Sequence, residues 1–236
     1  MNKKASRYCE HCGKAKKACI CHFISRIDSD VPVIVLQHPS EVNQPIGTAR
    51  ILSLSLPHCA LFVGEDFSDH AELNTKLATE NIDFALLYPS DDAVPISRWQ
   101  ATANDKDHAD IDIPTHIDTP AHIGTHNDTD TKNARGIILL DGTWRKAFKM
   151  YQLSRNLHSL PAVKLDDISE GNYRIRKSPI EGGLSTVEAG YYALSAMTHD
   201  GERYQPLLTA FDGMIEFQIS QMPPGVYERH YGKKDE

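Results

Sequence analysis

Short apolar runs recur along the chain, the first of them rich in β-branched residues, and a segment with helical periodicity follows most of them. The apolar runs predict strands at 31–37, 59–64, 83–90 and 136–140. The periodic segments predict helices at 47–56, 69–80, 143–151, 184–197 and 206–221. Strands that alternate with helices are typical of an α/β domain, so we predict a mostly parallel sheet flanked by helices.

Three of the predicted strands end in polar turns, HPSE (38–41), YPSDD (88–92) and DGTW (141–144). Because ligands bind at the carboxyl ends of strands in such sheets, the turns predict a ligand site at one edge. An unpaired aspartate would be costly in a cleft, so Asp141 either caps the next helix, binds a cation or takes a proton. The chain lacks the dinucleotide-binding glycine motif, the P-loop and the G-x-S-x-G motif, which argues against those sites.

The predicted helix that follows DGTW has an apolar face and a basic remainder. The apolar positions recur at helical spacing, and they are Trp144, Ala147, Phe148 and Tyr151. The basic residues fall off that face and should be exposed: Arg145, Lys146 and Lys149. The helix predicted at 184–197 begins with an S-x-x-E capping box formed by Ser185 and Glu188.

Four of the five cysteines lie close together near the start of the chain, in the pattern C-x2-C-x6-C-x-C. They are Cys9, Cys12, Cys19 and Cys21. Two short cysteine pairs on one loop can place four thiolates at the corners of a tetrahedron, which favours a structural zinc ion. Two disulfides and iron–sulfur ligation are the alternatives, and His11 or His22 would replace a cysteine that is not a ligand.

The formal net charge is −7, which argues against a nucleic-acid partner until the distribution of charge is considered. Residues 1–26 contain seven Lys and Arg against one acidic residue, and residues 141–180 contain eight against four. Local basic patches of this kind can bind a polyanion. No run of eighteen apolar residues and no signal-like apolar segment are present, so we expect a cytoplasmic protein with no membrane partner.

Residues 102–133 are rich in Asp, Thr and His and contain few large apolar residues. The four histidines His108, His116, His122 and His126 are loosely spaced, and the apolar content is low for a fixed metal site. We therefore predict a flexible surface insertion rather than a metal-binding segment.

The order of motifs along nearly the whole chain resembles that of the DTW-domain family, the tRNA-uridine aminocarboxypropyltransferases. The shared elements are the cysteine pairs, HPSE, YPSDD, DGTW, YRIRK (173–177) and LSTVEA (184–189). The resemblance implies a SPOUT-like fold with a C-terminal trefoil knot. It also implies a zinc ribbon at residues 1–28 and a catalytic domain at residues 29–236. The insertion at 102–133 is longer than we expect for the family.

The resemblance implies that S-adenosylmethionine donates its 3-amino-3-carboxypropyl group to N3 of a tRNA uridine, with release of 5′-methylthioadenosine. Asp141 and Trp144 are then the expected catalytic residues, with Asp141 acting as general base or as a clamp for the donor's ammonium group. The expected donor-binding residues are Pro89, Ser90, Leu140, Asp141, Gly142, Thr143, Trp144, Leu184, Ser185, Thr186 and Glu188. The expected RNA contacts are Arg145, Lys146, Lys149, Arg174, Arg176 and Lys177. The alternatives are an RNA methyltransferase of the same superfamily and a non-catalytic zinc-ribbon protein that binds RNA.

Overall fold

A computed structural model of the chain describes residues 6–101, 133–165 and 184–223. The strands are Val33–Gln37 (β1), Cys59–Val63 (β2), Ile82–Leu87 (β3), Val94–Pro95 (β4), Ala134–Asp141 (β5) and Ala162–Lys164 (β6). The α-helices are Ala49–Ser55 (α1), Ala71–Leu77 (α2), Ile96–Ala101 (α3), Trp144–Leu153 (α4), Thr186–Thr198 (α5) and Gly201–Ser220 (α6). Short 3-10 helices are formed by Lys16–Ala18, Pro39–Glu41 and Arg155–Leu157.

The strands form one sheet in the order β2-β1-β5-β3-β6-β4, and every neighbouring pair is parallel. Helices cover both faces of the sheet. On one face Val35 and Leu139 belong to an apolar cluster with residues of α1, α5 and α6. On the other face Leu36 and Ile138 pack with residues of α2 and α4. Burial on both faces explains why β1 and β5 read as continuous apolar runs rather than as alternating patterns.

The predicted α/β fold with a parallel sheet flanked by helices is therefore confirmed. The predicted C-terminal knot depends on the course of segments that lie outside the described residues, as do residues 102–132 of the predicted insertion. Among the residues described, none of the helices combines the length and the hydropathy that crossing a bilayer requires.

The cysteine segment packs directly on the sheet domain. Cys12 and Ile20 are buried in the same apolar cluster as α1, α5 and α6. At α6, a Cβ atom added to Gly213 would lie 2.6 Å from the Phe23 ring, so the helix approaches the ring as closely as glycine allows. The division at residues 28 and 29 stays a prediction.

Candidate active site

A cavity of about 920 Å³ lies at the carboxyl edge of the sheet, where the ends of β1, β5 and β3 are adjacent. The turns that follow these strands supply part of its wall, as the position of the polar turns predicted. The first residues of α4 and α5 supply another part, and Phe211 and Ile215 of α6 complete it. The predicted donor-binding residues that line it are Pro89, Leu140, Asp141, Gly142, Thr143, Trp144, Leu184, Ser185 and Thr186. Ser90 and Glu188 are not among its lining residues.

Asp141 is the last residue of β5 and is only 6% exposed. Its Oδ2 accepts a hydrogen bond from Nε2 of Gln37, at 2.8 Å, and its Oδ1 accepts one from the hydroxyl of Thr186. Gln37 is the residue paired with Asp141 across the β1–β5 ladder, and Thr186 is the first residue of α5. Three separate elements therefore hold the carboxyl group in one orientation at the cavity wall.

The pKa of the Asp141 carboxyl is raised above its ordinary value. Burial is the main cause, and the negative charge of Glu41 adds to it, whereas the hydrogen bonds from Thr186 and Gln37 act in the opposite direction. A carboxyl with a raised pKa takes up a proton more readily than an ordinary aspartate. The surroundings therefore suit a group that accepts a proton during a reaction.

The raised pKa predicts how an Asp141→Asn variant will differ in stability. A carboxyl whose folded pKa exceeds its unfolded pKa contributes stability below the unfolded pKa, and this contribution is lost as pH rises through the folded pKa. Asparagine stays neutral and can still bond to Gln37 and Thr186. We therefore expect a higher melting temperature than wild type at pH 7, and a difference that narrows as pH falls to 4. Calorimetry at both pH values checks this, and a less stable variant at pH 7 would contradict it.

Two helices begin at the cavity wall. Ser185 caps α5, and the predicted capping box with Glu188 is present: the Ser185 hydroxyl accepts the Glu188 N–H, and the Glu188 carboxylate accepts the Ser185 N–H. Glu188 thus serves the helix end. Thr143 is the N-cap of α4 but makes no side-chain capping bond, so its hydroxyl remains usable by a ligand. Helix N-termini attract negatively charged groups such as carboxylates.

Charged pairs cross the rim of the cavity. Nζ of Lys146 lies 2.6 Å from Oε1 of Glu41, and both residues line the cavity. Beyond this pair, Glu65 accepts from Lys149 at 3.0 Å and contacts Nε2 of His38 at 2.7 Å. Nδ1 of His38 accepts the N–H of Ser40, which leaves the imidazole proton on Nε2 to be donated to Glu65.

The predicted apolar face of α4 is wrong in part. The helix buries Ala147 and Met150, whereas Trp144 is 57% exposed and Phe148 is 54% exposed. The sheet lies beneath the Ala147–Met150 side, so both aromatic side chains stand at the surface, and only Trp144 lines the cavity. Lys146 also departs from the prediction, because it is half-buried, whereas Arg145 and Lys149 are exposed as expected. Arg174, Arg176 and Lys177 lie outside the described residues.

The four predicted metal ligands come together. The sulfur atoms of Cys9, Cys12, Cys19 and Cys21 all lie within 4.8 Å of one another. The Cys9–Cys21 and Cys12–Cys19 sulfur distances are 3.7 Å and 3.8 Å, and the thiols are unbridged. A tetrahedral zinc ion with Zn–S bonds of about 2.3 Å needs sulfur atoms about 3.8 Å apart, so the geometry fits zinc. Backbone N–H groups of Cys12 and His11 lower the pKa of Cys9, whereas burial and the neighbouring sulfur atoms raise the pKa of Cys21.

Lys14, which lies between the two cysteine pairs, joins this cluster to the cavity rim. Its Nζ donates to the carbonyl oxygens of Gln44, at 3.1 Å, and Pro45, at 2.8 Å. Gln44, Ile46 and Gly47 line the cavity. The cysteine segment therefore supports one wall of the cavity through backbone contacts.

Two groups in the site were missed by sequence reasoning. Gln37 bonds to Asp141, and its only sequence signal is that a polar residue ends an apolar strand. Glu41 faces Lys146 across 105 positions of the chain, and no local pattern indicates that pairing.

Residues 6–219 match the family model of the DTW domain. A Drosophila melanogaster protein named tRNA-uridine aminocarboxypropyltransferase 2 is 29% identical over 218 residues, covering 89% of this chain and 74% of its own length. The Macaca fascicularis protein of that name is 23% identical, covering 89% and 63%. The Arabidopsis thaliana protein named tRNA-uridine aminocarboxypropyltransferase A is 24% identical, covering 92% and 82%. No solved structure matches the chain significantly.

Proposed function

Because the chain belongs to the DTW-domain family, we propose that it is a tRNA-uridine aminocarboxypropyltransferase. In this proposal it transfers the 3-amino-3-carboxypropyl group of S-adenosylmethionine to N3 of a uridine in tRNA. The observation that carries the proposal is the buried carboxyl of Asp141, which faces a ligand-sized cavity and is oriented by Gln37 and Thr186. Relatives that cover most of the chain carry the same activity in their names.

The cavity residues fit an S-adenosylmethionine molecule in size and chemistry. Small-molecule cavities commonly measure about 300–1,000 Å³, and this one lies within that range. Leu139, Val163 and Leu165 give it an apolar floor that suits an adenine ring and a methyl group. The start of α4 at Gly142 and Thr143 offers N–H and hydroxyl donors to a carboxylate.

The chain's own residues then have defined tasks. When bound, the donor supplies a sulfonium whose aminocarboxypropyl carbon accepts a nucleophile and whose sulfur leaves with the bonding electrons as the thioether 5′-methylthioadenosine. Asp141 accepts the N3 proton of the uridine as the new N3–carbon bond forms. Gln37 and Thr186 keep the carboxylate aimed at that proton. The cavity wall selects the aminocarboxypropyl carbon over the methyl by holding it in line with N3.

The decisive experiment incubates the protein with an unmodified tRNA transcript and labelled S-adenosylmethionine, followed by nucleoside mass analysis. We expect an aminocarboxypropylated uridine and 5′-methylthioadenosine. Adenosylhomocysteine and a methylated nucleoside would instead indicate a methyltransferase. Binding of tRNA without binding of S-adenosylmethionine would indicate a non-catalytic RNA-binding protein.

The exposed face of α4 is the surface that we assign to tRNA. Arg145 and Lys149 supply positive charge there, and Phe148 supplies an exposed aromatic ring one helical turn after Trp144, which lines the cavity. Proteins bind unpaired RNA bases by stacking them on aromatic side chains while cations contact the phosphates. The remaining predicted contacts, Arg174, Arg176 and Lys177, stay predictions.

Replacing Phe148 by alanine is expected to weaken tRNA binding by about 5- to 100-fold, because one stacked base contributes about 1–3 kcal/mol. Filter binding to a tRNA transcript measures the effect. Leu153→Ala is the matched control, because Leu153 is also exposed and ends the same helix. Equal losses in the two variants, or no loss in Phe148→Ala, would show that the aromatic face does not contact RNA.

A further inference from the structure

The Glu41–Lys146 pair stands in the wall of the cavity rather than on the outer surface. Glu41 ends the 3-10 helix after β1, and Lys146 lies in the first turn of α4. The side chains are 18% and 30% exposed, respectively, and their charged atoms are 2.6 Å apart. Both residues line the cavity that contains Asp141. The pair therefore presents one positive and one negative group to any ligand in that cavity.

The pair leaves much of its hydrogen-bonding capacity unused. Lysine has three N–H donors, and in the described part of the chain Lys146 uses one of them, on Oε1 of Glu41. Oε1 of Glu41 also receives a long contact from the Ser40 hydroxyl, at 3.4 Å. Oε2 of Glu41 accepts no hydrogen bond from the residues that the structure describes. A ligand can thus bind both partners without breaking their contact.

We propose that Glu41 and Lys146 together bind the α-amino acid end of the donor, with the ammonium group on Glu41 and the carboxylate on Lys146. The inference rests on the proposed function and names the residues that determine which arm of the donor reaches the tRNA. A zwitterion placed on this pair makes a ring of alternating charges. The pair and the zwitterionic end of the donor are each neutral, so placing that end on the pair adds no net charge beyond that of the sulfonium.

The position of Lys146 supports this assignment over an RNA contact. Lys146 lies in the first turn of α4, where the helix N-terminus already favours a carboxylate. Its neighbour Arg145 is exposed, as a phosphate contact requires, whereas Lys146 is half-buried behind the rim. Two opposite charges at a fixed separation attach the arm at two points, which sets its direction better than one contact does.

The test uses calorimetry to compare S-adenosylmethionine and S-adenosylhomocysteine, which both carry the amino acid arm, with 5′-methylthioadenosine, which lacks it. S-adenosylhomocysteine and 5′-methylthioadenosine both have a neutral sulfur, so their difference reports on the arm alone. Lys146→Met and Glu41→Gln should each lower the affinity for S-adenosylmethionine by about 10- to 100-fold, as expected for the loss of a hydrogen bond to a charged group. The affinity for 5′-methylthioadenosine should change by less than about twofold. Lys146→Met should bind decarboxylated S-adenosylmethionine as tightly as wild type does, because this ligand has no carboxylate for Lys146 to bind.

Lys149→Met is the matched control for donor affinity. Lys149 lies on the same helix as Lys146 and pairs with Glu65, which follows β2, but it lies outside the cavity lining. An equal loss of affinity for S-adenosylmethionine and for 5′-methylthioadenosine would overturn the inference, because it would show that the pair only supports the cavity wall. Unchanged S-adenosylmethionine affinity in both cavity variants would also overturn it, while the proposed function stands. Failure of the wild-type protein to bind S-adenosylmethionine would remove the proposed function itself.

Discussion

Replacing Asp141 by asparagine is expected to lower the rate of aminocarboxypropyl transfer by about 100- to 10,000-fold, the usual contribution of a positioned general base. Asparagine has nearly the same shape and can keep the contacts with Gln37 and Thr186, so the cavity should persist. What it loses is the ability to accept the uridine proton. Single-turnover kinetics with saturating tRNA and S-adenosylmethionine measure the rate of the chemical step.

Donor affinity separates the two roles of Asp141 that the sequence leaves open. If Asp141 is the general base, Asp141→Asn should bind S-adenosylmethionine as tightly as wild type does. If Asp141 instead binds the donor's ammonium group, the variant should lose much of its affinity for S-adenosylmethionine. Calorimetry distinguishes the two roles. The Glu41–Lys146 pair offers another place for that ammonium, which favours the base.

The pH dependence of the wild-type rate gives an independent check. Asp141 accepts a proton only when it is ionised, and burial raises its pKa. The rate should therefore fall on the acid side at a pH above the range of an ordinary aspartate. An acid limb at the ordinary aspartate pKa would contradict the assignment of this carboxyl as the base.

Loss of the metal is expected to have the largest effect on stability. We expect one zinc ion per chain by elemental mass spectrometry, and Cys12→Ser should lose it. Zinc binding contributes about 10–16 kcal/mol in isolated zinc-finger peptides, so even a fraction of that should lower the melting temperature by about 10 °C or more. Cys12 is buried in the main apolar cluster, so the damage should spread beyond the cysteine loop.

Cys59→Ser is the matched control for the metal. Cys59 is partly buried at the start of β2 and lies outside the cluster of four sulfur atoms. It should retain zinc and lose little stability. Iron in the purified protein, with absorbance in the visible range, would indicate an iron–sulfur cluster instead of zinc. Full metal content in Cys12→Ser would show that the four sulfur atoms are not the ligands.

The strands with long apolar runs were predictable, and the short ones were not. β1, β2, β3 and β5 are predicted from their continuous apolar runs. β4 has two residues and β6 has three, so neither is long enough to show a hydrophobic pattern from which a strand can be predicted. The helix predicted from 206 begins at Gly201, where Asp200 accepts the Arg203 N–H, and Pro206 is tolerated inside it.

The edge of the sheet that holds the cavity followed from the sequence, but the contacts within the cavity wall did not. Polar turns after three strands indicated the edge at which the cavity lies, because parallel strands bring their carboxyl ends together. The partners of Asp141 are 104 and 45 positions away, and only the folded chain brings them close. Exposure of Trp144 and Phe148 was also hidden, because periodicity shows that residues share a face without showing what covers it.

The strand order also affects how the protein folds during its synthesis on the ribosome. β2 is synthesised soon after its neighbour β1, whereas the other neighbour of β1, β5, follows about 100 residues later. At about 5–20 residues per second, one side of β1 waits roughly 5–20 s for that partner. During this interval an aliphatic strand edge is open to incorrect pairing and aggregation. Gln37 can contact Asp141 only after β5 has joined the sheet, so this part of the cavity wall forms late in folding during synthesis.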